Sequence, residues 1–428
     1  MSNNLKGMKL LVLGANPETV PLIETAQSLG VYVVVTDNDP NAYAKKFANQ
    51  PENIDGMDVK KLIKLIKNEK INGVIVGVAD RLIKPYQEVC DELQFPCYCT
   101  NEQAQIFTDK EIFNKKCMEY EISPIPFYEI TQFPSFNEIN ALEYPIVVKP
   151  VDGNSGRGMY ICKEPSEVEI AMEVATRASK KGRVLIERYM DCEGVGIYYT
   201  FKDGEIFLSA FYDRFTSKKQ GKLSQVPLGA IYPSKFHSLF IKNLHPKFCE
   251  LFRDLKIRNG VLMLSAFVEN DNFYVYDPGF RLQGEAPNFL IESVNGFDQK
   301  AMLVRFALTG SMGNDDLHVL NDSSFRGKYA ASVWFLAKEG QISNIKGLEL
   351  AHADPNVVAV IQRFEIGDIV SSSVIGTEGQ VVLRLYISCN SKFDLCEKIN
   401  FYQKNIVILD VSGESLIFDH FNSNFAIN

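Results

Sequence analysis

The sequence predicts a protein of mixed α/β and α+β class, with a doubly wound parallel sheet at its N-terminal end and a β-rich part at its C-terminal end. Over the first hundred residues, short β-branched runs alternate with stretches of helical spacing, which is typical of parallel sheets covered by helices. From residue 328 onward, short strands dominate. A length of 428 residues leaves room for about two to four domains. We expect three, at residues 1–105, 106–312 and 313–428, the middle one dividing into two lobes near residues 188–192.

Each element is predicted from apolar periodicity and from the glycine, proline or capping residues at its ends. In the N-terminal part, strands are expected at residues 9–15, 31–36, 73–78 and 96–100, and helices at residues 18–29, 59–67 and 82–93. A further helix is expected at residues 107–121, with Thr108 and Asp109 supplying an N-cap and an acidic first turn. The C-terminal part predicts strands at residues 329–337, 357–361 and 380–388, a helix at 392–404, and a hairpin of 406–409 with 415–419.

Composition argues against several classes of protein. The net charge is −8 and the pI is near 5.4, whereas a protein that coats nucleic acid needs a basic face. The longest apolar runs are far too short to cross a bilayer. The first of them breaks at residues 14–17, so it is better interpreted as a buried strand than as a signal peptide. We expect a cytoplasmic protein that binds neither nucleic acid nor membranes.

The cysteines and histidines give no support to a metal knuckle or a disulfide framework. None of the nine cysteines forms a CxxC pair, and the five histidines never recur at helical i,i+3 or i,i+4 spacing. Reduced, mostly buried thiols are the expectation.

The turn after the first strand raises the question of a dinucleotide site. Gly14 follows strand one and Asp37 ends strand two, where a ribose-binding carboxylate would be placed. The G-x-G-x-x-G fingerprint is absent, since only Gly14 is present. A nicotinamide oxidoreductase is therefore a minor alternative, and this turn is interpreted as part of the fold that contacts a different ligand.

The most informative stretch is residues 144–160, YPIVVKPVDGNSGRGMY. A β-branched strand ends at Lys149, and a loop with Gly153, Gly156 and Gly158 follows before the next strand. Glycine lets backbone N–H groups turn toward phosphate oxygens, and lysine supplies a point charge. No GK[ST] closes the loop, so it is not a Walker loop. The alternative is a hairpin turn with a surface lysine.

A second polar segment ends a predicted strand pair. Asp277 and Arg281 lie four residues apart at the end of a buried strand, where they could hold a metal ion and a phosphate. The alternative is an ordinary salt-bridged turn. A pocket for an anion, or alternatively surface ion pairs, could be formed by Asp213, Arg214, Tyr232, Pro233, Ser234, Lys235 and Arg281.

In this order the segments resemble the ATP-grasp superfamily over nearly the whole chain. The similarity is greatest to the branch of biotin carboxylase, the carbamoyl phosphate synthase large subunit and amino acid ligases. It implies a pre-ATP-grasp domain, an ATP-grasp domain and a β-rich cap, with ATP and Mg²⁺, or Mn²⁺ in its place, as cofactors. The implied site residues fall in three groups. Phosphate contacts would come from Lys110, Lys149, Gly153, Ser155, Gly156 and Gly158, adenine or ribose contacts from Glu187, Arg188, Met190 and Glu193, and catalytic contacts from Arg281 and Lys149.

The resemblance breaks down at the metal site. The family places a glutamate twelve residues before a second glutamate that opens E-x-N-x-R. Here Asp277 takes the second position and Arg281 the last, but Ser265 and Gly279 stand where two ligands are usual. Gln283, Glu285 or Asn288 could supply a substitute oxygen. One carboxylate with ATP phosphates and water can still hold Mg²⁺.

The resemblance implies a ligase that joins a small carboxylate to an amine or related nucleophile through an acyl phosphate, and a homodimer is compatible with it. The alternative is an ATP- or ADP-binding sensor or scaffold that lacks turnover because its metal site is depleted.

Overall fold

A computed structural model describes residues 5–128, 134–153, 158–217 and 226–426. The N-terminal part begins with a parallel sheet whose strand order is β3-β2-β1-β4. Its β-branched strands are buried on both faces, as expected when helices cover both sides. The elements of this part are β1 (Lys9–Leu13), α1 (Val20–Ser28), β2 (Tyr32–Thr36), β3 (Gln50–Glu52), α2 (Val59–Glu69), β4 (Gly73–Val76), α3 (Ile83–Leu93), α4 (Asn101–Thr108) and α5 (Lys110–Glu119).

A small antiparallel sheet follows, with strand order β5-β8-β6-β7 and its own apolar core against α7. Its elements are β5 (Phe127–Tyr128), α6 (Phe136–Ala141), β6 (Ile146–Pro150), β7 (Tyr160–Cys162), α7 (Val168–Ala178) and β8 (Val184–Arg188).

The rest of the chain is built on a large antiparallel sheet. Among the described residues its strand order is β13-β12-β9-β10-β11-β14-β19-β17. Two short strand pairs, β15 with β18 and β16 with β20, accompany it. The elements are β9 (Glu193–Lys202), β10 (Glu205–Thr216), β11 (Pro227–Tyr232), α8 (His237–Asn243), α9 (His245–Asp254), β12 (Gly260–Glu269), β13 (Asn272–Gly279), α10 (Asn288–Asn295), α11 (Gln299–Thr309), α12 (Leu317–Leu320), β14 (Tyr329–Leu336), β15 (Gly340–Gln341), β16 (Asn344–Lys346), α13 (Leu348–Ala353), β17 (Val357–Gln362), β18 (Ile369–Val370), β19 (Val381–Cys389), α14 (Lys392–Asn405) and β20 (Val407–Leu409).

Packing ties the N-terminal sheet to the later part of the chain. Helix α11 packs against α1 and β4. Gly73 in β4 lies so close to α11 that a Cβ atom there would stand 2.2 Å from the carbonyl oxygen of Ala307. One continuous core of buried apolar side chains joins these elements, so the N-terminal sheet is held firmly against the large sheet.

The mixed fold class and its N-terminal parallel sheet are confirmed, but three predicted elements differ from the structure. Residues 96–100 form no strand, because the Tyr98 N–H donates to the Tyr86 hydroxyl at 3.2 Å instead of to a neighbouring strand. The helix expected at 107–121 is interrupted at Asp109, which ends α4 and caps α5. The C-terminal hairpin is reduced to one antiparallel bridge, between Leu409 and Ser415, because β20 takes β16 as its partner strand.

All nine cysteines are unbridged, and seven of them are buried. No helix within the described ranges combines the length and the apolar character that crossing a bilayer requires.

Candidate active site

A cavity of about 850 Å³ opens where the N-terminal sheet, the large sheet and the C-terminal segment meet. It lies beyond the carboxyl ends of β1 and β4, the edge at which parallel sheets bind ligands. Polar residues from distant parts of the sequence line it, including Glu18, Asp80, Lys110, Asp152, Gly153, Arg214, Asp277, Arg281, Gln283, Glu285, Arg363 and Glu378.

Lys110 stands at the first turn of α5 and links two predicted parts of the site. Its Nζ lies 2.9 Å from Asp277 Oδ1 and donates to the carbonyl oxygen of Gly153 at 2.7 Å. Asp109 caps the helix by accepting from the N–H groups of Glu111 and Ile112. The cap therefore fixes where Lys110 enters the cavity.

The Lys110–Asp277 pair is ionised. Burial opposes the charge on both groups, lowering the pKa of Lys110 and raising that of Asp277, but their mutual attraction outweighs it. The pKa of Lys110 is therefore raised and that of Asp277 is lowered. Lys149 and Arg281 add to the lowering of the Asp277 pKa, so all three predicted cations act on this carboxylate.

Lys149 lies at the end of β6, as predicted, and its partner is another predicted residue. Val147 of β6 pairs with Glu187 of β8, which makes Lys149 and Glu187 diagonal neighbours on one face of the sheet. Lys149 Nζ lies 2.5 Å from Glu187 Oε2, and the glutamate is buried. The Glu187 carboxylate therefore holds Lys149 in place.

Arg281 follows β13 and pairs with Asp80 from the N-terminal sheet, 2.5 Å away. Burial lowers the pKa of the Arg281 guanidinium, but Asp80 and Asp277 outweigh it and raise the pKa above its ordinary value. The remaining Asp80 oxygen, Oδ1, is buried and accepts no hydrogen bond from the described residues. Asp80 was not predicted from the sequence, because 201 residues separate it from its partner.

The base of the glycine loop, residues 152–158, is anchored. Asp152 accepts hydrogen bonds from the Ser179 hydroxyl at 2.6 Å and from the Lys180 N–H at 3.0 Å. Gly158 has φ +73°, and a Cβ atom there would stand 2.4 Å from the Ala178 Cβ, so glycine is required. The predicted contacts Ser155 and Gly156 lie outside the described residues.

The predicted adenine and ribose contacts surround the chain connection after β8, away from the residues that line the cavity. Arg188 pairs with Glu269 at 2.7 Å, and Met190 is buried beside Ile125. Glu193 begins β9 and pairs with Lys235 at 2.6 Å. Their contacts to a nucleotide stay predictions.

Of the positions that the resemblance implies as metal ligands, 265, 277 and 279, only Asp277 carries a carboxylate. The Asp277 side chain is 49% exposed, and its backbone turns with φ 51°. Ser265 is buried opposite Tyr276 in the β12–β13 pair. No group of three or more histidine, cysteine, aspartate or glutamate side chains arranged for a metal occurs within the described residues. These residues fit Mg²⁺ only if phosphate oxygens and water complete its shell.

Of the residues suggested as substitute metal ligands, Gln283 and Glu285 already make hydrogen bonds to other side chains. Glu285 accepts from Arg214 and, at 2.9 Å, from the Tyr212 hydroxyl and the Gln283 amide. Asn288 begins α10 and does not line the cavity. Of the suggested anion pocket, Arg214 lines the cavity, whereas Asp213 accepts from the Ser234 hydroxyl and the Lys235 N–H.

Part of the chain is similar in sequence to known proteins. Residues 109–193 match the family model described as "Carbamoyl-phosphate synthase L chain, ATP binding domain". A formate-dependent phosphoribosylglycinamide formyltransferase of Solidesulfovibrio magneticus is 28% identical over 192 residues, covering 43% of this chain and 47% of the relative. The chain thus spans about half the length of such relatives.

Two solved structures show the same fold over almost the whole chain. The L-amino acid ligase of Bacillus licheniformis has a TM-score of 0.73 at 16% identity and covers 95% of this chain and 99% of its own. The biotin carboxylase domain of the Hydrogenobacter thermophilus 2-oxoglutarate carboxylase, solved with MgADP and bicarbonate, has a TM-score of 0.74 at 14% identity, with 94% and 90% covered. Residues 109–193 are thus similar in sequence to an ATP-binding domain, and the whole chain shares its fold with ATP-grasp ligases.

Proposed function

We propose that this chain is an ATP-dependent ligase that joins a carboxylate to an amine, or a related nucleophile, through an acyl phosphate. The observation that supports this best is a set of three cation–carboxylate pairs in an ATP-grasp fold, two of which line the cavity while the third contains Lys149, whose charge acts on the cavity residue Asp277. The pairs are Lys110–Asp277, Lys149–Glu187 and Arg281–Asp80. Since each cation is already oriented by a carboxylate, the site is organised before the nucleotide arrives.

In this proposal, positioning and charge account for catalysis. Lys110 and Lys149 hold phosphate oxygens, the glycine loop covers them, and Arg281 faces the transferred phosphoryl group. A carboxylate oxygen bonds to the γ-phosphorus while the bond to ADP breaks. The amine nitrogen then bonds to the carbonyl carbon, phosphate leaves, and the amine loses a proton to solvent.

Asp277 is the residue that would hold Mg²⁺, or Mn²⁺ in its place, together with the phosphates of ATP. A divalent ion supplies charge neutralisation for the transferred phosphoryl group. Lys110 favours the ionised form of Asp277, which is the form of a carboxylate that a divalent ion binds.

Hydroxylamine trapping tests the proposal without knowledge of the amine. The protein is incubated with MgATP, hydroxylamine and pools of small carboxylates, and both ADP and hydroxamate are measured. An active carboxylate gives equal amounts of the two products, and the Arg281→Ala variant gives neither. ADP without hydroxamate in every pool would contradict an acyl phosphate.

A second candidate function, nucleotide binding without turnover, is favoured by one observation. Ser265 and Gly279 stand where the resemblance implies two metal ligands. Tight ATP binding with no metal-dependent ADP release from any carboxylate would support a sensor or scaffold.

The finer assignments are also proposals. We place the ligase in the cytoplasm, which the nine unbridged cysteines support, and as a homodimer, to be tested by light scattering. We propose residues 1–105, 106–312 and 313–428 as its domains, although strands β14, β17 and β19 continue the sheet of the middle one.

A further inference from the structure

The side of the cavity away from Lys110 contains a second set of charged residues, none of which the sequence indicated. Glu18 follows β1, Arg363 follows β17, and Glu378 precedes β19. All three line the cavity. Arg384 of β19 lies behind them, fully buried.

One carboxylate oxygen serves two guanidinium groups here. Glu18 Oε1 lies 3.3 Å from Arg363 Nε and 3.2 Å from Arg384 Nη1. Arg384 is further held by the carbonyl oxygen of Gly284 and by the face of Trp334, whose ring centroid is 4.0 Å from the guanidinium carbon. Glu18 is therefore shared, and Arg363 retains charge that no single carboxylate fully neutralises.

The Glu378 carboxylate, in turn, lacks a cationic partner among the described residues. The backbone carbonyl of Glu378 accepts from Arg363 Nη1 at 2.6 Å, but its carboxylate has no hydrogen bond or ion pair among the described residues. The side chain is accessible from the cavity. Burial among protein groups raises the Glu378 pKa, and burial, followed by repulsion from Arg384, lowers the Arg363 pKa. Each group would be stabilised by an opposite charge in the cavity.

The charges decide which ligand fits. Glu18 and Glu378 balance Arg363 and Arg384, so this corner is neutral as a whole. A simple carboxylate would leave Glu378 unpaired, and a simple amine would leave Arg363 undercompensated. An opposite charge on the ligand would stabilise each of the two groups. A zwitterion pairs with both groups and keeps the corner neutral.

We propose that Arg363 and Glu378 bind an amino acid, with its carboxylate at the guanidinium and its ammonium group at Glu378. The role of this amino acid as the amine substrate rests on the proposed ligase function. Its binding to Arg363 and Glu378 does not depend on that function. The cavity is continuous from this corner to Lys110 and Asp277, so the amino group and an acyl phosphate would share one enclosure.

Binding is measured by calorimetry with the twenty proteinogenic L-amino acids, in the absence of ATP. The change in fluorescence of Trp334, the single tryptophan of the chain, gives a second readout from the same corner. For each amino acid that binds, the N-acetyl derivative removes the ammonium group and the amide removes the carboxylate. Both derivatives are expected to bind at least about tenfold more weakly.

Variants distinguish this site from binding elsewhere. Glu378→Gln and Arg363→Gln are expected to weaken amino acid binding about tenfold or more. Glu365→Gln removes the same charge from an exposed residue outside the cavity lining and should bind as the unmodified chain does. Because Glu378 is exposed, its variant should fold, which circular dichroism checks.

The outcomes separate this inference from the ligase proposal. If no amino acid binds, or if Glu378→Gln binds as well as Glu365→Gln, the amino acid site is overturned while hydroxylamine trapping can still succeed. If binding depends on Glu378 but no hydroxamate forms with any carboxylate, the site stands and the ligase assignment fails.

Discussion

Gly279 makes room for Asp80. A Cβ atom on residue 279 would stand 2.8 Å from Asp80 Oδ1, while Asp80 Oδ2 lies 2.5 Å from the Arg281 guanidinium. The resemblance to the ATP-grasp family places a metal-binding asparagine at position 279. In this chain the space beside that position is filled by a carboxylate of the N-terminal sheet, which holds Arg281 instead.

This relationship makes Gly279→Ala costly. The new methyl group would push against Asp80 and against Met263, whose sulfur is 3.0 Å away, so we expect a loss of about 1–3 kcal/mol of unfolding free energy. Urea unfolding measures it. Gly284→Ala is the matched control, since its Cβ would have no neighbour nearer than 4.0 Å.

A double-variant cycle checks the cause. If the cost comes from displacing Asp80, Asp80→Ala combined with Gly279→Ala should be more stable than the sum of the two single changes indicates. Strict additivity would show that the clash lies elsewhere.

Lys149→Ala should weaken ATP binding. It removes a charge at the end of β6 and leaves Glu187 buried without its partner, so both lost attraction and new repulsion act on the phosphates. We expect about 10- to 100-fold weaker binding by calorimetry. Lys149→Ala with Glu187→Gln separates the two effects, because the repulsion is absent there. Unchanged affinity in Lys149→Ala would remove Lys149 from the nucleotide site.

Ser265→Glu should strengthen the metal site. The change restores a carboxylate twelve residues before Asp277, in the strand paired with β13. Binding of Mn²⁺ to the complex with ADP, followed by electron paramagnetic resonance, is expected to tighten about tenfold. Ser265→Gln is the control, because glutamine has nearly the same size as glutamate but carries no charge. Equal Mn²⁺ affinity for the two variants would place residue 265 away from the ion.

Asp354 should make stability depend on acid pH. Burial raises its pKa, but hydrogen bonds from Lys398 and Tyr402 outweigh this and hold the pKa at about 2, below the ordinary 3.8. A carboxyl group with a lowered folded-state pKa stabilises above its unfolded pKa and ceases to do so as pH falls from about 4 to 2.

Asp354→Asn should therefore cost about 1 kcal/mol at neutral pH, after allowance for solvent screening. The difference from the unmodified chain should shrink as pH falls through that window, as measured by urea unfolding at several pH values. Glu397→Gln, at an exposed position of α14, serves as the control. A difference that stays constant with pH would contradict the assignment.

The sequence predicts best what is determined locally. The strand that delivers Lys149 depends on residues a few positions apart, and it lies where the β-branched run places it. The prediction of a strand at residues 96–100 was wrong, because an apolar run does not show whether a partner strand exists beside it.

The cavity wall could not be predicted in the same way. Asp80 pairs with Arg281 across 201 residues, and Glu18 contacts Arg363 and Arg384 from the opposite end of the chain. Their meeting depends on α11 packing against α1 and on β14 joining β11. No motif marks a lone charged side chain before the topology is known.

The pairing of β11 with β14 has a mechanical consequence. A single ladder of backbone hydrogen bonds runs from β13, which ends at Asp277 and Gly279, to β17, which leads into Arg363. Both ends of the cavity are therefore attached to the same continuous sheet. The small sheet is separate from this one, and its strand β6 leads into the cavity-lining residues Asp152 and Gly153, so we expect any opening of the cavity to involve the small sheet.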